Sequence, residues 1–71
     1  MFSNVVDLFR YLHEEMGFEV DVSVNNSNQH FSFLCKICGK TILSFVAEQT
    51  MKGIKIVEVK DGLSWVRELG I

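Results

Sequence analysis

The sequence predicts an α+β fold in two layers: an N-terminal helix, a four-stranded antiparallel β-meander and a short C-terminal helix. Three observations carry this expectation. Apolar residues recur at helical spacing over residues 4–16. Strict apolar–polar alternation follows in FEVDVSVN, and turn signals then separate the later apolar runs. At 71 residues the chain has room for one small domain, residues 1–71, and a composition 48% hydrophobic with six Phe is too apolar for disorder.

The helix is read from Val5, Leu8, Phe9, Leu12 and Met16, which make one apolar stripe, with Asp7, Arg10, Glu14 and Glu15 away from it. Ser3 or Asn4 supplies the N-cap, Asp7 complements the exposed amides of the first turn, and Gly17 is the stop. In the first strand Phe18, Val20, Val22 and Val24 share a buried face. Glu19, Asp21, Ser23 and Asn25 face water, and charges there suit an edge strand. The polar run over residues 25–29 is a hairpin loop.

The second strand is expected over residues 30–38. Phe31, Phe33, Cys35 and Ile37 point one way, and His30, Ser32, Leu34, Lys36 and Cys38 the other. Gly39-Lys40 is the expected turn, because Gly in the first turn position suits type II′. The third strand, residues 41–48, then sets Ile42 opposite Ile37, Ser44 opposite Cys35 and Val46 opposite Phe33. On the other face Leu34 meets Phe45, and Leu43 lies beside Lys36. The fourth strand, residues 54–60, is apolar on both faces, with Ile54 and Ile56 on one and Val57 and Val59 on the other. The tail fits two patterns. Asp61-Gly62 is a hairpin signal, while Leu63, Val66 and Leu69 share one side of two helical turns that Gly70 would end. The helix is the reading taken.

Charge narrows the function. The net charge is −2 and the basic residues are scattered singly, so there is no phosphate-binding patch and nucleic acid is not an expected partner. A dense acidic face that would mimic DNA is equally absent. Asp7 interrupts the N-terminal apolar run where a signal peptide needs continuity, and no run reaches membrane-spanning length. With two cysteines, the expected setting is the cytoplasm, with no membrane partner and reduced thiols.

The sharpest local motif, Cys35-Lys36-Ile37-Cys38-Gly39-Lys40, resembles one half of a zinc ribbon, whose CxxCG knuckle sits at a hairpin tip. The second CxxC is missing. His13 and His30 are the remaining candidates for a two-Cys, two-His zinc set. On a continuous strand, however, His30 and Cys35 stand about 16 Å apart and face opposite ways. The plain alternative is that Cys35 is a small core residue and Cys38 precedes a turn. A redox role would need a helix N-terminus or a strong cation, and only Lys36 and Lys40 are near. Neither His has a hydroxyl or carboxylate at a readable spacing, and no P-loop, GxGxxG or HExxH is present.

No catalytic residue is therefore assigned, no enzyme activity is expected, and no cofactor is expected beyond zinc in the alternative. The expected function is a non-catalytic protein-binding module: a small regulator, inhibitor or adaptor, phage- or plasmid-type modulators of a host protein included. Its alternative is a zinc-knuckle module binding nucleic acid or protein. Leu34, Lys36, Leu43, Phe45 and Trp65 are the expected partner-binding residues, left over on the second face of the sheet once one helix covers the first. The partner is another protein or a second copy of the chain. The competing expectation is that the C-terminal helix folds over that second face.

Overall fold

In the computed structural model, which describes residues 2–25 and 29–69, the elements follow the expected order. Helix α1 spans Val5–Arg10 and continues through a π-helical turn at Tyr11–Glu15. Strands β1 (Glu19–Val24), β2 (His30–Ile37), β3 (Lys40–Thr50) and β4 (Gly53–Asp61) form an antiparallel sheet in the order β1-β2-β3-β4. Helix α2, Leu63–Leu69, closes the fold, so the tail is helix and not a fifth strand. Residues 26–28 of the expected loop, and Gly70, lie outside the described residues.

Local chemistry explains the helix ends. Asn4 is extended, and its Oδ1 accepts the Asp7 N–H at 2.9 Å, satisfying a first-turn donor that has no partner within the helix. Ser3 Oγ donates to the Asp7 carboxylate at 2.9 Å. A second anchor comes from the sheet. Gln49 Oε1 accepts the Val5 N–H at 3.1 Å, while its amide nitrogen donates to the carbonyls of Ser3 and Thr50. One side chain thus ties the helix entrance to the end of β3. At the exit, Met16 N–H reaches back to the Tyr11 carbonyl and Phe18 N–H to that of Leu12, both at 3.1 Å.

Both helices pack on the same face. Leu8, Leu12, Phe18, Phe33, Cys35, Leu43, Phe45, Ala47, Ile54 and Val66 form one buried cluster. Phe9, Val20, Val22 and Phe31 are packed against it, whereas Val24 and Ile37, at the strand ends of the expected inward faces, are 53% and 45% exposed. At its centre Phe33 and Phe45 are cross-strand partners with rings stacked at 4.9 Å and 8°. Trp65 of α2 meets Phe18 edge-on at 5.7 Å and 80°. Gly62 makes that approach sterically feasible. Its φ is 79°, and a Cβ there would lie 2.7 Å from the Ile42 carbonyl oxygen.

Two expectations about register are corrected. The β2–β3 turn is Cys38-Gly39, both at positive φ (52° and 77°), as a type I′ turn requires, and not Gly39-Lys40. With a bulge that leaves Ile42 without a cross-strand partner, β3 sits one residue away from the expected pairing: Phe33 faces Phe45, Cys35 faces Leu43 and Leu34 faces Ser44. A one-residue slip moves every side chain to the other face. Leu43 and Phe45 therefore belong to the core. In β4 a bulge at Val57 resets the alternation, so Val59 joins Ile54 and Ile56 on the covered face, opposite Phe45. Val57 alone is left 41% exposed.

Candidate functional site

Among the described residues no helix lies on the second face of the sheet, and its residues fall in cross-strand rows. Asp21, Leu34, Ser44 and Asp61 make one row; Ser23, Ser32, Val46 and Glu58 make the next. Glu19, Lys36 and Thr41 lie beyond the first, and His30, Glu48 and Lys55 beyond the second. Leu34 and Val46 are diagonal neighbours at the centre, and neither belongs to the core cluster. Leu34 is 36% exposed and Val46 half-buried, with the short Ser32 and Ser44 beside them.

Charge rings this centre. Lys36 Nζ lies 3.3 Å from Asp21 Oδ2, and His30 Nε2 lies 3.7 Å from Glu48 Oε2. Both pairs bridge neighbouring strands, and the solvent-accessible Lys36–Asp21 ion pair contributes only about 0–1 kcal/mol to stability. Their effect is on recognition: a small apolar centre with a polar, charged rim is how protein interfaces are arranged.

The expected partner-binding residues are split between the two faces. Leu34 and Lys36 occupy the uncovered face as expected. Leu43 and Phe45 do not: they are 0% and 1% exposed beneath the helices. Trp65 is half-buried on that same covered face against Phe18. The competing expectation, α2 folded over the second face, is also corrected, because α2 shares the face of α1. Val46 replaces Phe45 as the aliphatic neighbour of Leu34. The signal that would have found it is size: the slip that buries Leu43 and Phe45 places the larger side chains inside.

The four residues considered for zinc do not converge. Cys35 is fully buried on the covered face, whereas Cys38 is exposed at the turn tip, and both thiols are free. Burial pushes the Cys35 thiol up from 9.0 to about 11, away from the thiolate that metal binding and nucleophilic chemistry need. His13 Nδ1 lies 2.9 Å from the Phe18 carbonyl oxygen, which only accepts, so that nitrogen carries the proton. His30 is at the far end of β2, beside Glu48. Among the described residues no group of three or more His, Cys, Asp or Glu side chains is arranged to hold a metal ion, and no pocket is found. No described helix is long and apolar enough to cross a membrane.

The chain matches no known protein family, no curated protein and no solved structure.

Proposed function

We propose that this chain is a non-catalytic protein-binding module, a small regulator, inhibitor or adaptor of the kind that phages and plasmids use against host proteins. It meets its partner through the uncovered sheet face. The observation that supports this reading is the one-sided placement of both helices. They bury the large side chains of β2, β3 and β4 on one side and leave Leu34 and Val46 facing outward inside a charged rim. The chemistry offered to a partner is a surface and not an enclosed site.

The test is affinity capture from lysate of the source cells with the wild-type chain and with a Leu34→Glu, Val46→Glu double variant. Capture of a discrete protein by the wild type, lost in a variant with unchanged circular dichroism, is the expected result. Identical capture by both would remove the uncovered face from the account.

A further inference from the structure

The sheet has two edges, and they are not equivalent. β4 is obstructed along much of its length. Its pairing with β3 shifts twice, and bulges twist an edge away from an incoming strand. At its start the Ile54 N–H is already taken by the Phe2 carbonyl at 3.3 Å, where the N-terminal segment runs against Gly53. Lys55 and Lys60 add the charges that discourage strand addition. β1 carries charge, and only its entrance is engaged, where the Phe18 N–H donates to the Leu12 carbonyl and the Phe18 carbonyl faces His13 Nδ1. Its pairing with β2 is continuous from Glu19 to Val24. Among the described residues, no backbone hydrogen bond outside the β1–β2 ladder engages its six residues.

We propose that the β1 edge accepts an extended segment of a partner protein in which apolar and basic residues alternate. This rests on the reading above only in taking the chain to bind protein; the β1 edge is a second surface, distinct from the uncovered face. A strand added there takes its affinity from main-chain hydrogen bonds and its selectivity from alternate side chains. On the covered side it meets Val20, Val22 and Val24, of which Val24 is 53% exposed. On the uncovered side it meets Glu19 and Asp21, the Asp21 side chain being 70% exposed despite its contact with Lys36. Residues 11–35 carry four carboxylates, Glu14, Glu15, Glu19 and Asp21, and no Lys or Arg. Lys36, opposite Glu19 and 3.3 Å from Asp21, offsets one of the two edge carboxylates, which leaves the β1 edge with a net negative charge, while Lys40, Lys52, Lys55 and Lys60 all lie on β3, β4 and the turn between them. A basic strand complements that edge. A second copy does not, since β1 against β1 sets Glu19 and Asp21 of both chains along one strip.

The probe is the peptide Lys-Val-Lys-Val-Lys-Val-Lys, titrated into isotope-labelled full-length chain and followed by amide shifts and hydrogen exchange. Its counterpart is Glu-Val-Glu-Val-Glu-Val-Glu. The expected result is shifts and slowed exchange centred on Glu19–Val24 with the basic peptide only, weakening as salt rises. A Glu19→Lys, Asp21→Lys variant should lose about tenfold or more in affinity for the basic peptide and gain it for the acidic one. Should that variant fold poorly, the salt series and the acidic peptide on the wild type carry the same test. No binding of the basic peptide, equal binding of both peptides, or shifts centred on Leu34 and Val46 would overturn the proposal. So would a dimer whose β1 amides are protected without peptide. The uncovered-face reading stands or falls separately, on whether capture by the wild type is lost in the Leu34→Glu, Val46→Glu variant.

Discussion

The two faces of this sheet use the same four strands, but the apolar positions are concentrated on one of them, and only that face became a core. On the covered face the central row is Val22, Phe33, Phe45 and Val59; on the other it is Asp21, Leu34, Ser44 and Asp61. The difference is volume at the middle two strands. Two stacked Phe rings fill the space beneath the helices, while on the other face Leu34 is 36% exposed beside a buried Ser44. A small domain has apolar mass for one packed layer, and which residues join it is decided by one step of register.

The strongest way to break this comparison is to empty the covered face. Phe33→Ala should cost about 3–5 kcal/mol, enough to threaten a domain with only about 5–15 kcal/mol of stability. Thermal unfolding followed by circular dichroism would register it as loss or collapse of the transition. An unchanged melting temperature would contradict the core assignment.

The next effect comes from the seam between α2 and β3. Gly62→Ala adds a Cβ against the Ile42 carbonyl at a positive φ, and should destabilise by about 1–3 kcal/mol. Denaturant midpoints would show it, and α2 amides should lose exchange protection first. Gln49→Ala removes the side chain that links the Val5 amide and the Ser3 carbonyl to β3. A loss of about 1 kcal/mol is expected, read as faster exchange in the first turn of α1 with the sheet unaffected.

The cysteines sharpen the comparison further, because they sit on opposite sides of the core boundary. Cys38 should react with iodoacetamide in the native protein, while Cys35 should react only after unfolding. The pH dependence follows from the raised Cys35 value. Between pH 9.0 and about 11 the unfolded chain loses the thiol proton and the folded chain keeps it, so this group's contribution is intact below pH 9 and is lost as pH rises through that window. Urea midpoints should fall more steeply there for the wild type than for Cys35→Ala.

Much of the architecture was legible because local chemistry and packing agree. The stripe of Leu8 and Leu12, a cap at Ser3 or Asn4 that falls on Asn4, and the alternation through Val20 and Val22 read from the sequence, while of the expected apolar side of α2 Val66 is buried and Leu63 is 52% exposed. The uncovered face was not fully legible, and the reason is the β2–β3 turn. Propensity favours Gly39-Lys40, since Cys38 is disfavoured at positive φ. Tertiary packing favours Cys38-Gly39, which turns Leu43 and Phe45 inward. Packing wins, and the bulge that strands Ile42 absorbs the mismatch. A second bulge at Val57 defeats simple alternation in β4 in the same way. The π-helical turn at Tyr11–Glu15 also left no mark in the periodicity.

The central claim is that Leu34 and Phe45, on adjacent strands, lie on opposite faces with opposite roles. It is tested most directly by thermal unfolding of Leu34→Glu and Phe45→Glu side by side. The predicted result is that Leu34→Glu melts within a few degrees of the wild type, a change of about 0.5 kcal/mol, while Phe45→Glu fails to fold. A folded Phe45→Glu beside an unfolded Leu34→Glu would exchange the faces and contradict the account.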